Sequence, residues 1–142
     1  MNDLSVVFDT EPLLAFYRGE PGAADVEETL NQVIEGSVEA YINIVNLTEF
    51  YYILHRYSPE AAEEKTRNLR AYGLKVVPLL DDALWRLAAE MKSSHPMSLA
   101  DAYAAATAQT TGSKLVIGRD QEFDGLPIET IRIGKNWKAS HG

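Results

Sequence analysis

At 142 residues, 46% of them hydrophobic, the chain is long enough to bury a core and short enough to form one domain. No apolar run approaches the roughly 20 residues that span a bilayer. MNDLSVVFD lacks the basic start of a signal peptide, so a soluble cytoplasmic protein is expected; the absence of cysteine removes disulfide and thiolate chemistry without fixing the compartment. The formal charge of −8, from 21 acidic against 13 basic residues, opposes strong nonspecific binding to nucleic acid, which needs phosphates neutralised by Lys and Arg. It suits a basic protein partner or a salt-rich cytoplasm, and it leaves room for a locally basic groove.

Leu4 to Phe8 is an apolar run ending at Asp9-Thr10 and reads as a buried strand. Glu11 to Tyr17 reads as a short helix with Pro12 in its first turn, broken by Gly19, Pro21 and Gly22. Ala23 to Glu35 carries Val26, Leu30, Val33 and Ile34 at helical spacing, closed by Gly36. Ala40 to Val45 is the second expected strand. Asn46 is the expected cap of a helix carrying Leu47, Phe50, Tyr51, Leu54 and Tyr57. Ser58-Pro59 begins another helix, which Gly73 stops. Leu74 to Val77 is the third strand. Asp81 or Asp82 caps a helix ending near Met91, and Ser93 to Met97 is a loop. Ser98 caps an alanine-rich helix that ends near Thr111 at Gly112. Leu115 to Gly118 and Ile128 to Ile133 are the last two strands. Residues 135–142 form a polar tail beyond a domain of residues 1–134.

Strands alternating with helices predict an α/β fold: a single-domain, three-layer α/β/α architecture with a mostly parallel, roughly five-stranded sheet. Ligands of such sheets sit beyond the carboxyl ends of the strands, at a topological switch point.

Four acids stand where a hydrophobic segment meets a turn or a helix start. They are Asp9 in VVFDTEPLLAF, Glu49 in NLTEFYYIL, Asp101 in MSLADAYAAATA and Asp120 in KLVIGRDQEF. Each has a structural reading beside a chemical one. Asp9 is a favoured N-cap for the helix that follows, and position alone favours neither reading. Asn46-Leu-Thr-Glu49 has the spacing of a capping box, and Ser98-Leu-Ala-Asp101 has it with a shorter acid. A carboxylate in a first helical turn is also stabilised by the macrodipole, so capping and cation binding are compatible. Asp120, with Glu122 and Asp124 beside it, reads as a solvated turn or as a fourth site acid. Carboxylates gathered without basic partners repel one another, and a divalent cation relieves the repulsion. The alanines at 100, 102, 104, 105, 106 and 108 let their helix lie close on the sheet and hold Asp101 firmly. His55, His95 and His141 are too scattered for a metal-ligand pattern.

Together the four segments resemble the PIN-domain family, and within it the VapC-type toxin ribonucleases of type II toxin–antitoxin systems. VVFDTEPLLAF is similar to the opening strand with its Asp and small hydroxyl residue, and NLTEFYYIL to the helix of the second acid. MSLADAYAAATA is similar to the most specific motif of the family, and KLVIGRDQEF to its closing strand and acid. The resemblance implies an endoribonuclease dependent on Mg²⁺ or Mn²⁺ that hydrolyses RNA phosphodiester bonds. It implies Asp9, Glu49, Asp101 and Asp120 as the acidic quartet, with Asp9 and Asp101 as the principal metal ligands. Glu49 and Asp120 complete the site directly or through water, and Thr10 is the supporting hydroxyl. It further implies an RNA substrate such as tRNA or another structured RNA, a homodimer, and a small antitoxin partner. Ile117 departs from the pattern, because many members carry Thr in the closing strand. Arg119 directly precedes the fourth acid, and the register among Asp120, Glu122 and Asp124 stays open.

Two rivals exist. A haloacid-dehalogenase-like phosphatase also places an Asp after its first strand and acids late, as Asp120 and Asp124 are. It wants an Asp two residues after that first one, where this chain has Glu11, and it leaves Glu49 and Asp101 without a role. A non-catalytic module that binds RNA or protein gives no reason to gather four carboxylates. No Gly-rich loop of the ATP or dinucleotide type is present.

Overall fold

Val6, Val7 and Phe8 are buried to within 1% of their surface, and their side chains alternate between two separate cores. A strand buried on both faces is central to a covered parallel sheet. In the structure, a computed structural model that describes residues 4–118 and 123–134, this strand is β1 (Ser5–Phe8). The others are β2 (Glu39–Asn43), β3 (Lys75–Val77), β4 (Lys114–Ile117) and β5 (Thr130–Arg132), in the spatial order β3-β2-β1-β4-β5. All four pairings are parallel, so the expected mostly parallel sheet is wholly parallel among the described residues.

Among the described residues six helices cover the sheet: α1 (Thr10–Arg18), α2 (Ala23–Glu35), α3 (Ile44–His55), α4 (Pro59–Tyr72), α5 (Asp82–Ser94) and α6 (Leu99–Thr111). Leu13, Leu30, Phe50 and Leu69 from α1 to α4 share one core with Val6, Phe8, Ile42 and Val116. Leu84 and Met91 of α5 and the alanines of α6 share the other with Val7, Leu115 and Ile117. The chain therefore builds outward from β1 to β3 under one face. It then crosses to the other face and returns to the far side of β1 as β4. Strand order reverses beside β1, which is where such sheets bind ligands.

Most expected elements fall within one or two residues of their observed ends. The exception is the second strand and the helix after it. Ile44 and Val45 are β-branched and read as strand on propensity, yet they form the first turn of α3. The reason is Asn43, whose Oδ1 accepts from Val45 N at 2.8 Å and caps the helix three residues before the expected Asn46. Its Nδ2 donates to Thr107 Oγ1 at 3.0 Å, so this fully buried polar side chain is satisfied on both atoms and ties α3 to α6. Asn46 thus lies inside the helix, no capping box forms with Glu49, and Glu49 sits in the second turn instead of the first. The expected box at Ser98 and Asp101 does form. Helix α5 runs to Ser94, three residues past its expected end, and β5 is confined to Thr130–Arg132.

Asn43→Ala should lower the unfolding free energy by about 1–3 kcal/mol, because it removes an N-cap and a buried cross-helix hydrogen bond. Urea denaturation reads this directly, and a loss under about 0.5 kcal/mol would place the cap elsewhere.

Candidate active site

Asp9 leaves β1 still held by the sheet, since its backbone N–H donates to Val116 O of β4 at 3.0 Å. It occupies the N-cap position of α1 with extended backbone, φ −71° and ψ 166°, but its side chain makes no capping bond. Capping and cleft-lining, equal on sequence grounds, are thereby separated: the backbone starts the helix and the carboxylate lines a cleft. That cleft, about 270 Å³, is lined by Asp9, Thr10, Glu11, Leu14, Glu49, Ile53, Ser98 and Asp101. Three of the four acids singled out in the sequence therefore meet there, with Thr10. Asp120 and Glu122 lie outside the described residues. Asp124 pairs with Arg132 at 3.1 Å and does not line the cleft. His95 bonds Met91 O through Nδ1 and does not line it either.

The helices aim these acids for different reasons. Glu49 faces the cleft from the second turn of α3, beside Ile53 one turn on. Asp101 is held by its capping box: its N–H donates to Ser98 Oγ at 3.1 Å, and Ser98 N–H reaches back to Asp101 Oδ2 at a loose 3.4 Å. The short Asp side chain stretches that second bond, so the cap orients the carboxylate without consuming it. The alanines from Ala102 to Ala108 are fully buried and let α6 lie across β1, β2 and β4, which carries its N-terminus over the end of β1.

Two site residues escaped the sequence reading. Glu11, considered there only against a phosphatase pattern, is a fourth carboxylate in the cleft. Its carboxyl rests against Gly118 at the end of β4, where an added Cβ would fall 2.8 Å from Oε2. Asn46 is the second. It is fully buried; its Nδ2 donates to Ala100 O at 3.1 Å and lies 3.4 Å from both Asp9 Oδ1 and Thr10 Oγ1. A carbonyl only accepts, so the contact with Ala100 fixes which end of the amide faces Asp9. Thr10 Oγ1 in turn donates to Asn46 O at 3.3 Å. One asparagine on α3 thus joins the Asp9–Thr10 junction to the first turn of α6.

The electrostatic result is concentrated on Asp9, of which only 3% is exposed. Burial pushes its carboxyl well above the ordinary value of 3.8, and the charge of Asp101 pushes it further. The Thr10 backbone N–H opposes this, while Glu49 and Glu11 add to it. No Lys or Arg lines the cleft among the described residues. The lining offers a hard cation an oxygen-only, anionic donor set. Among the described residues no three carboxylates converge to chelate one ion by themselves. Mg²⁺ does not require that, since it keeps several waters and takes one or two carboxylates together with substrate phosphate. The residues therefore fit such an ion. A cleft of similar size at the opposite edge of the sheet holds Lys114 and Glu129, already paired with each other at 3.1 Å.

An acid whose folded value exceeds its unfolded one stabilises the fold at low pH. That contribution is lost as pH rises from the unfolded value through the raised one. In EDTA the unfolding free energy should therefore fall as pH rises from about 4, and Asp9→Asn should flatten the fall. Urea unfolding across that pH range measures it, and an unchanged slope in the variant would mean the buried charge lies elsewhere.

The PIN-domain family model matches residues 6–129. Among solved structures the chain is similar to one in DNA-bound VapBC from Salmonella typhimurium (TM-score 0.71, 18% identity, covering 91% of this chain and 98% of that one). It is also similar to a chain of VapBC2 from Rickettsia felis bound to a promoter DNA fragment (TM-score 0.70, 14% identity, 92% and 99%). A toxin–antitoxin complex from Klebsiella pneumoniae gives a TM-score of 0.64 at 20% identity, covering 86% and 92%. At these identities the likeness is one of fold. No curated protein sequence matches the chain. The family match runs from the first strand to the residue before the last, across every described cleft residue, and removes the phosphatase reading: the chain belongs to the PIN-domain family.

Proposed function

We propose that this protein is an endoribonuclease dependent on Mg²⁺ or Mn²⁺, and the toxin of a VapBC-type toxin–antitoxin pair. The observation that carries the reading is Asp9: a buried carboxylate at the sheet's switch point, whose charge is opposed by burial and by Asp101, Glu49 and Glu11 beside it. A divalent cation beside Asp9 would relieve that repulsion. Asp9 and Asp101 are the proposed ligands, with Glu49, Glu11 and, from the chain following β4, Asp120 acting directly or through water. Thr10 and Asn46 are assigned to keeping the Asp9 carboxylate oriented. When bound, the divalent cation lowers the pKa of water and neutralises charge on the phosphoryl group. Glu49 and Glu11 stand at the rim to accept the proton of the attacking water, and Leu14 and Ile53 limit bulk solvent on one side.

The similar structures from Salmonella, Rickettsia and Klebsiella are toxin–antitoxin complexes, which supports a small antitoxin as partner here. Four clustered carboxylates would take an arginine from such a partner readily, since charge-assisted bonds to carboxylate are strong. A homodimer is part of the same proposal, as is an RNA substrate, with tRNA or another structured RNA as the class.

Purified protein should cut RNA endonucleolytically only with Mg²⁺ or Mn²⁺, leaving a 5′-phosphate and a 3′-hydroxyl. Asp9→Ala or Asp101→Ala should lower the rate about 100-fold or more, the scale of losing a group that stabilises transition-state charge, with a native circular dichroism spectrum. Sequencing of the RNA ends identifies the substrate. Cutting that persists in EDTA, or products ending in a 2′,3′-cyclic phosphate, would overturn the metal-dependent reading.

A further inference from the structure

Two of the helices that border the cleft, α1 and α3, repeat one pattern. Glu11 of α1 and Glu49 of α3 face the carboxylate cluster, and Arg18 and Arg56 follow each of them by seven residues. Seven residues is roughly two turns, so each arginine lies on the same helical face as its acid, about 10 Å further along. Arg18 closes α1, and Arg56 keeps helical backbone as the cap of α3. Each guanidinium lies over an exposed tyrosine: Arg18 is 5.9 Å from the ring centre of Tyr57, and Arg56 is 4.8 Å from that of Tyr52. Tyr57 is 79% exposed and Tyr52 43%. Neither arginine has an ion-pair partner among the described residues, although acids outnumber bases 21 to 13.

A favourable place at a helix C-terminus explains a single arginine. It does not explain two exposed tyrosines held under two unpaired guanidinium groups at matching distances from one acidic cleft. We propose that Tyr52, Arg56, Tyr57 and Arg18 form a strip that holds an unpaired stretch of the RNA strand entering the cleft. The arginines take phosphates and the tyrosines stack on bases. This rests on the nuclease reading above and adds where the strand runs and what form it has. Arginine's planar fork suits phosphate oxygens. A tyrosine face stacks any base, but only one released from its helix, so the strip selects single-stranded segments, loops or ends. The two arginines, without ion-pair partners among the described residues, complement an anionic strand along the strip itself.

The test is fluorescence anisotropy with a labelled oligouridine of about twelve nucleotides, within the range that single-strand grooves occupy. An Asp9→Asn background prevents cleavage. Arg18→Gln with Arg56→Gln should make the dependence of log Kd on log salt shallower by about 1.4, two phosphate contacts at about 0.7 each. Tyr52→Leu with Tyr57→Leu should weaken oligouridine binding about tenfold or more and leave a duplex of equal length unaffected. All four positions are exposed, so native melting temperatures are expected, and Mn²⁺ affinity of the same variants with Asp9 intact should stay unchanged. Unaltered salt dependence in the arginine variant overturns the strip. So does equal loss on duplex, or loss of affinity for a co-purified protein partner with RNA binding intact. RNA binding that follows the expected pattern while the wild type never cuts would uphold the strip and sink the nuclease reading instead.

Discussion

Everything distinctive in this fold follows from placing one carboxylate, that of Asp9, almost out of water at the end of the central strand. Burial alone opposes its charge, and Asp101, Glu49 and Glu11 oppose it further. A buried ion left uncompensated costs several kcal/mol. The architecture concedes that cost at a single point and secures the surroundings. The sheet bond from Asp9 to Val116, the amide of Asn46 and the close-lying alanine helix keep the carboxylate where it is, so repulsion is held in place and not relieved by movement.

That rigidity comes from small and polar residues in the core. Ala102, Ala104, Ala105, Ala106 and Ala108 contribute little apolar area each, but together they bring the backbone of α6 close to the strand ends. Asn43 and Asn46 then join α3 to α6 by hydrogen bonds that only this approach permits. A leucine in place of any of these alanines would fill the gap and lengthen every bond that crosses it.

How far the sequence could be read depends on how local each signal is. Asp9 and Asp101 were legible because each follows or opens an element whose apolar pattern is plain in its own neighbours. The start of α3 was not. Ile44 and Val45 carry strand propensity, and the cap that overrules them is a side-chain bond of Asn43 whose other end lies 64 residues away on Thr107. Asn46 was illegible as a site residue for the same cause, since its partners Asp9 and Ala100 stand 37 and 54 residues distant. Spacing within α3 suggested a cap, and nothing along the chain signals a contact between helices. Glu11 failed differently: its position near Asp9 was visible, but its orientation depends on a missing side chain at Gly118.

That last contact makes β4 a gauge of the charge in the cleft. Glu11 can lie back against the strand end only while residue 118 has no Cβ. Any larger residue there would act as a wedge and displace the Glu11 carboxyl. The charge the cleft would present to the proposed cation is therefore set in part from a position that contributes no functional group of its own.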